Sequence, residues 1–416
     1  MSRDVFVHVG LPKTGTTYIQ EAIWGSLDRL SAAGFFVPGD THVAQRRAVW
    51  DLIGRRLQGS DQPLVTGSWK ELTRAVGNAR ESRVLLSEEF LVNARRRHVR
   101  AFSRDLGPAR LHVVVTVRDV ACALASWWQF EVSQGATWSW SEFLDAVRDV
   151  DTGPPTAGVG FWLRYDLRNV LETWSVAVPD ENVHVVVLPP TGAPPTRLLE
   201  LFAEAVGIEP RTLRTPASTS NVSLGATATE VLRRLNREWS ARLTEEQHLR
   251  LVSHGIKPYL RREHRESIRF PPSTHGWLNQ YSQGLVEYLD SRDFHVVGDP
   301  GDLIPRAADL DGVDPDDITD TELLEVAFRA LSGFGEHYAA YWWRTRRRPA
   351  TADLDVDART RVSSSVRAWM FGLWMRAFQK SDSVPLLASA ARRYLRRKRR
   401  HASRLPTRHG PGSATG

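Results

Sequence analysis

Short apolar segments alternate with amphipathic ones through the first half of the chain, and this alternation constrains the fold most. Runs rich in β-branched residues predict strands, and apolar residues spaced three or four apart predict helices. The predicted strands are Val5–Val9, Phe35–Val37, Arg83–Ser87, Leu111–Val117 and Val183–Leu188. Strands that alternate with helices indicate a parallel sheet covered on both faces. The expected fold class is therefore α/β, a three-layer αβα arrangement with a central parallel sheet.

The helical segments continue beyond the last of these strands and dominate the second half. Apolar spacing predicts one helix from Ile19 towards Gly34, and Ser139 with Glu142 forms a predicted capping box. The other predicted helices are 121–132, 142–150, 161–174, 194–206, 226–236, 245–253, 280–291, 321–331 and 337–343, with an edge strand at 294–297. We expect an α/β domain over 1–310, a helical C-terminal extension over 311–380, and a basic, disordered tail over 381–416.

A net charge of +7 would by itself suggest a nucleic-acid partner, but the charge is unevenly distributed along the chain. The segment 391–416 carries nine basic residues and no acidic ones, so the first 390 residues sum to −2. This distribution argues against a nucleic-acid partner. The one cysteine, Cys122, excludes a disulfide framework and a Cys-rich zinc site. No signal-peptide pattern and no membrane-length apolar run is visible, so we expect a cytoplasmic protein.

A glycine-containing loop, Gly10–Thr17 (GLPKTGTT), joins the first strand to the first helix. Such a turn presents backbone N–H groups at a helix N-terminus, which favours phosphate binding. Hydroxyls of Thr14, Thr16 and Thr17 and the charge of Lys13 would add to it. The alternative is a tight strand–helix turn with a solvated lysine.

The loop departs from the ATP-binding pattern GxxxxGK[ST] at one position. Gly10 and Gly15 have the required separation, and Thr17 occupies the Ser/Thr position. Thr16 stands where that pattern has lysine, and Lys13 lies three residues earlier. A kinase or NTPase that uses Mg-ATP is the competing enzyme class, and this substitution argues against it. A nucleotide-binding protein with a degenerate site is a third hypothesis.

The segment Phe6–Gln20 resembles the 5′-phosphosulfate loop of sulfotransferases that use 3′-phosphoadenylyl sulfate (PAPS), in particular bacterial members. The resemblance covers about 1–310, strongly over the first 130 residues. It implies a sheet related to that of nucleotide kinases. It also implies that the loop holds the 5′-phosphosulfate, through Pro12, Lys13, Thr14, Gly15, Thr16 and Thr17, with Lys13 catalytic. PAPS would be the co-substrate, and no metal is expected.

A second motif follows the strand Leu111–Val117. Arg118 ends that strand, and Ser126 lies eight residues later on the predicted helix. An arginine offers a planar fork for bidentate phosphate binding, and a hydroxyl two turns along would close the other side. In the family that this chain resembles, residues at these positions hold the 3′-phosphate. Without the resemblance, Arg118 is equally a structural arginine paired with Asp119.

A catalytic base is expected at the end of the strand Arg83–Ser87, where Glu88 and Glu89 follow directly. An acceptor hydroxyl must lose its proton as it attacks, so a carboxylate near the sheet's carboxyl edge is required. Neighbouring residues on an extended chain point in opposite directions, so only one should face the site. Glu89 fits the Ser-x-Glu-x-Leu arrangement of bacterial relatives. Glu88 stays an alternative, and so does a surface or helix-capping role for both.

These patterns predict a sulfotransferase that acts on a small-molecule or glycan acceptor, which the sequence does not identify further. Asn221 or Ser223 is predicted to cap a helix, and His8 and His112 are expected to be structural. The amphipathic segment 366–378 and the basic residues after it allow a weak peripheral contact with an anionic membrane. A solvated basic tail after a docked helix is the alternative that the pattern favours.

Overall fold

The computed structural model describes residues 3–55, 65–149, 151–217, 224–260 and 266–346. The chain divides into two compact units, Met1–Ala340 and Tyr341–Gly416, and the sheet and site lie in the first. Asn221 and Ser223 lie outside the described residues, as do the segment 366–378 and the predicted tail 381–416. Among the helices that the model describes, none is both long and apolar enough to cross a bilayer.

The described residues form a six-stranded sheet in which every pair of neighbouring strands is parallel. Its strands are β1 Arg3–His8, β2 Phe35–Phe36, β3 Arg83–Ser87, β4 Ala109–Val117, β5 Val183–Val187 and β6 His295–Val297. The order across the sheet is β2-β3-β1-β4-β5-β6, so β1 lies between β3 and β4. The carboxyl ends of these three strands meet at one edge, which is where parallel α/β sheets bind ligands.

The connections between strands, and most of the chain after β5, are helical. The α-helices are α1 Thr16–Trp24, α2 Leu27–Ala32, α3 His42–Ile53, α4 Ser68–Asn78, α5 Arg96–Leu106, α6 Val120–Ser133, α7 Trp140–Arg148, α8 Pro155–Tyr165, α9 Leu167–Trp174, α10 Pro195–Val206, α11 Ala226–Trp239, α12 Glu245–Arg250, α13 Lys257–Leu260, α14 Pro272–Asp290, α15 Ala307–Leu310 and α16 Asp320–Arg346. A π-helix, Leu251–Ile256, joins α12 to α13, and a 3-10 helix, Glu89–Asn93, follows β3.

Alternate residues of the central strands face two separate apolar layers. On one face, Phe6, Val114 and Val186 pack with apolar residues of α1, α2 and α10. On the other, Val7, Val115 and their neighbours pack with α3 to α9 and the later helices. The period of two along a strand places successive side chains on opposite faces. The predicted three-layer α/β class, followed by a mostly helical region, is confirmed.

The helix predictions differ from the structure mainly in where helices break. The predicted helix from Ile19 is two helices, α1 and α2, because the chain turns at Gly25 and Ser26. The segment 161–174 is also divided, since Asp166 ends α8 and its side chain caps α9. Conversely, the two helices predicted over 321–343 form the single helix α16. The capping box of Ser139 and Glu142 is confirmed and opens α7.

Candidate active site

A cleft of about 570 Å³ lies beyond the carboxyl ends of β1, β3 and β4. This volume is within the range of ordinary ligand pockets. Its lining combines the glycine-containing loop with residues from α6 and from later parts of the chain. The residues that line it are Pro12, Lys13, Gly15, Thr16, Thr17, Tyr18, Glu89, Arg118, Ser126, Trp127, Gln129, Phe130, Ser133, Gln134, Leu188, Leu224 and Lys257.

Two glycines give the loop its shape, and a side chain would fit at neither. Gly10 has φ of 60°, and a Cβ there would lie 2.8 Å from Oγ1 of Thr16. Gly15 has φ of 78°, and its Cβ would lie 2.4 Å from Cδ2 of Leu198. Gly15 is also the N-cap of α1. Because it has no side chain to cap the helix, the N–H groups of the first turn are left for a ligand.

Lys13 stands at the turn of the loop with φ of 65°, the only positive φ of a non-glycine residue in the described ranges. Such a conformation costs about 1–3 kcal/mol and persists only where the surroundings hold it in place. The hydroxyl of the buried Tyr165 donates to the carbonyl of Pro12, directly before Lys13. The Nζ of Lys13 lies 5.8 Å from the ring centroid of Phe130, on the cleft wall.

Thr14 is the one loop residue among those predicted that does not line the cleft. Its side chain is fully buried, and its hydroxyl donates to the carbonyl of Leu11 at 2.5 Å. The same oxygen lies 2.7 Å from the hydroxyl of Thr116 on β4. Thr14 therefore supports the loop from beneath, while Thr16 and Thr17 reach the cleft.

Arg118 and Ser126 both line the cleft, as their spacing predicts for a shared site. Nε of Arg118 lies 3.8 Å from a carboxylate oxygen of Asp119, beyond hydrogen-bond distance. The other carboxylate oxygen of Asp119 caps α6 by accepting from the N–H of Cys122 at 2.7 Å. The structural pairing of Arg118 with Asp119 is thus a loose ion pair. Within the described ranges, Nε of Arg118 is buried and has no hydrogen-bond partner.

Three residues that line the cleft carry buried donor atoms with no hydrogen-bond partner among the described residues. They are Nε of Arg118, the hydroxyl of Tyr18 and Nε1 of Trp127. Buried polar atoms without partners are rare and call for an explanation, because each costs about 1–3 kcal/mol when unmet.

Glu89 lines the cleft at the start of the 3-10 helix Glu89–Asn93. Burial raises the pKa of its carboxyl above the usual range, and the charges of Arg46 and Lys13 oppose that rise. The same carboxyl therefore lies within electrostatic reach of the loop lysine. A partly buried carboxylate with a raised pKa is a stronger proton acceptor than an exposed one, as a general base requires.

Glu88 occupies the neighbouring position and does not line the cleft. Its side chain is 1% exposed, and one of its oxygens accepts from the N–H of Phe90 at 3.3 Å. The other lies 3.6 Å from Nε of Arg46 on α3. Burial raises the pKa of Glu88 to about 7. Glu88 thus caps the 3-10 helix. Of the two glutamates, only Glu89 lines the cleft.

Other sequence predictions around the cleft have clear outcomes. Trp127 lines the cleft, whereas the next residue, Trp128, is fully buried in the core. His8 is fully buried in β1, and His112 is half-buried in β4. No group of three or more His, Cys, Asp or Glu side chains in the described ranges has the arrangement of a metal site.

Sequence reasoning missed Tyr18, Tyr165 and Lys257. Lys257 directly follows the π-helix Leu251–Ile256 and brings a further positive charge to the cleft wall. Such helices often occur at functional sites, but the local sequence around Lys257 matches no motif. Tyr18 directly follows the loop, in the first turn of α1, and this position could have predicted that it lines the cleft.

Comparisons with known proteins give matches to solved structures and none to curated sequences. No protein-family model and no curated protein matches the chain. The crystal structure of a sulfotransferase from Alicyclobacillus acidocaldarius matches 62% of this chain and 99% of its own length, with 13% sequence identity and a TM-score of 0.35. At this identity and TM-score the likeness carries no functional argument, so the function is argued from the cleft.

Proposed function

We propose that this chain is a sulfotransferase that moves a sulfuryl group from PAPS to the hydroxyl of a small-molecule or glycan acceptor. The observation that carries the proposal is the meeting of Lys13, Arg118 and Glu89 in one cleft, delivered by three different strands. Two cations and a carboxylate are the groups that this transfer requires. The motif likeness of the loop to PAPS-dependent enzymes supports the same conclusion.

The proposed ligand is a nucleotide with two separate anionic groups. The N–H groups at the start of α1, with Thr16, Thr17 and Lys13, would hold the 5′-phosphosulfate. Arg118 and Ser126 would hold the 3′-phosphate, and the unpartnered Nε of Arg118 is a donor for it. Thr14 would act by supporting the loop from beneath. Trp127 and Phe130 offer aromatic surface on the same wall.

PAPS, when bound, supplies the sulfuryl group and a phosphate that leaves with the electron pair of the broken S–O bond. Glu89 would accept the proton of the acceptor hydroxyl as its oxygen forms the new O–S bond. Lys13 would stabilise the negative charge that grows on the phosphate oxygen as the old bond breaks. The products are a sulfate ester, 3′-phosphoadenosine 5′-phosphate and a protonated Glu89. No nucleic acid takes part.

Thermal unfolding with nucleotides tests the proposal against the Mg-ATP alternative. In EDTA, 3′-phosphoadenosine 5′-phosphate should raise the melting temperature, while ATP, which has no 3′-phosphate, should change it little. Ligand at 100 times its Kd would stabilise the fold by about 2.7 kcal/mol. Arg118→Lys should weaken the effect, since an ammonium cannot reproduce the guanidinium fork. Equal stabilisation by Mg-ATP would favour the kinase instead, and radiolabelled PAPS with an acceptor panel would then show no transfer.

A further inference from the structure

A chain of buried side-chain hydrogen bonds joins the ends of the three strands that deliver the cleft residues. Nδ1 of His8 on β1 lies 2.8 Å from the hydroxyl of Ser87 on β3. Its Nε2 lies 3.3 Å from the hydroxyl of Thr116 on β4. Thr116 in turn lies 2.7 Å from the hydroxyl of Thr14, which reaches the carbonyl of Leu11 at 2.5 Å. All four side chains are at most 2% exposed.

The carbonyl of Leu11 sets the direction of the hydrogen bonds from Thr14 back to His8. A carbonyl only accepts, so Thr14 donates its one proton to Leu11 and must accept from Thr116. Thr116 has then used its own proton and must accept from Nε2–H of His8. Burial lowers the pKa of His8 to about 3, so near neutral pH the ring carries only this one proton. Nδ1 therefore accepts from the hydroxyl of Ser87, and His8 is the neutral Nε2–H tautomer.

Each end of the chain is anchored next to a candidate catalytic group. Ser87 directly precedes Glu88 and Glu89, and its backbone is fixed on both sides. Its N–H donates to Gln45 at 2.9 Å, and its carbonyl accepts from Gln20 at 3.0 Å. At the other end, Thr14 directly follows Lys13, whose backbone has the positive φ described above.

We propose that His8 and Thr116 are positioning residues that hold Lys13 at a fixed place relative to Glu89 and Arg118. The chain Ser87–His8–Thr116–Thr14 transmits the position of β3 and β4 to the loop. It keeps the backbone of Lys13 in a conformation that it would otherwise leave. The consequence for turnover rests on the proposed function. The tautomer and the position of Lys13 do not depend on it.

The variant Thr116→Val tests the chain, because valine has nearly the shape of threonine and lacks the hydroxyl. We expect kcat to fall about ten- to a hundred-fold, as misplacement of a reacting group does. The Kd for 3′-phosphoadenosine 5′-phosphate should change less, because Arg118 and Ser126 are untouched. Thr116→Ser should restore most of the activity. Thr274→Val is the matched control, since Thr274 is also buried and donates only to the carbonyl of Pro271.

Two NMR measurements on the free protein test the hydrogen-bond chain and do not depend on enzyme activity. In ¹⁵N spectra, His8 should be the Nε2–H tautomer and should not titrate between about pH 5 and 8; His8→Gln assigns its signals. The sequence contains only five lysines, so the Nζ signal of Lys13 can be followed and assigned with Lys13→Arg. It should shift in Thr116→Val and stay in place in Thr274→Val.

An Nδ1–H tautomer of His8, or titration with an ordinary histidine pKa, would overturn the proposal even if no variant folds. An unchanged Lys13 signal in a folded Thr116→Val protein would do the same. If both NMR results hold while the wild-type protein transfers no sulfuryl group, the positioning chain stands and the proposed function is wrong.

Discussion

Histidines connect neighbouring strands in two places, one at the carboxyl end of the strands and one in their amino-terminal half. The two sets of contacts lead to different surroundings. At the carboxyl end, His8 is fully buried and its hydrogen bonds lead to the loop. In the amino-terminal half, His184 lies 3.0 Å from His112 and 2.9 Å from His295, nitrogen to nitrogen. This second row ends at the exposed His295 and, 3.8 Å beyond His112, at Asp4.

The difference separates a fully buried histidine from a row of histidines that reaches solvent. His8 is 0% exposed, whereas the row of His112, His184 and His295 opens at the sheet's edge strand β6. Ligands bind parallel sheets at the carboxyl edge. Changes to the residues that line the cleft at that edge should therefore affect turnover more than folding, and changes in the amino-terminal half should affect folding alone.

The largest effect is expected from Lys13→Ala at the carboxyl edge. Loss of the charge that stabilises the leaving phosphate oxygen should lower kcat about 10³-fold. Lys70→Ala, on the exposed face of α4, is the matched control and should keep full activity. Steady-state transfer from radiolabelled PAPS measures both. An active Lys13→Ala enzyme would contradict the role given to the loop.

Glu89→Gln should lower kcat about 10²-fold by removing the proton acceptor, with little change in nucleotide affinity. Glu88→Gln, the adjacent control, should stay within a few-fold of wild type because its side chain points away from the cleft. The wild-type kcat should fall as the pH drops through the raised pKa of Glu89, which must be ionised to act. The reverse order of the two variants would assign the base to Glu88.

Glu88 should instead make folding depend on pH. Its pKa is about 7 in the folded protein against 4.5 when exposed, so the folded state binds the proton more tightly. The stability that this provides is complete below pH 4.5 and is lost as the pH rises through 7, by about 3 kcal/mol. Urea unfolding at both ends of this range should show a flatter profile for Glu88→Gln. The exposed Glu181→Gln should retain the wild-type slope.

The smallest effect is expected in the amino-terminal half, from His184. Burial, and then the neighbouring His112 and His295, lower its pKa to about 4 from an ordinary 6.5. Its contribution to stability is complete above pH 6.5 and is lost as the pH falls towards 4, by about 1–2 kcal/mol at pH 5. His184→Gln should remove this part of the acid sensitivity without lowering kcat at pH 7. The exposed His42→Gln is the control, and an equal loss of acid sensitivity there would exclude this assignment.

The strands were predictable because a parallel sheet buries both faces, and runs such as Leu111–Val117 are apolar throughout. The helices α3, α4 and α5 were not predicted. In α5 only Val99 and Phe102 are buried among polar residues, so its apolar signal is sparse. The spacing of buried residues in α4 does carry a helical period, which shows that this helix was within reach of the sequence.

The site residues that could be predicted are those that lie in a short motif directly after a strand. Lys13, Arg118, Ser126 and Glu89 each follow a strand closely, and the topology brings them together. Tyr165 and Lys257 come from helices far along the chain and carry no local signal. The hydrogen-bond chain from Ser87 to Thr14 joins residues that belong to three strands, so only the register of the sheet reveals it.

The close approach of Leu198 to Gly15 means that this loop is not a portable element. A helix that follows β5, more than 180 residues downstream, lies against the turn and sets how much room it has. Grafting Gly10–Thr17 onto another scaffold would transfer the sequence of the motif without the packing of Leu198 against Gly15. Any minimal version of this site must extend at least through α10.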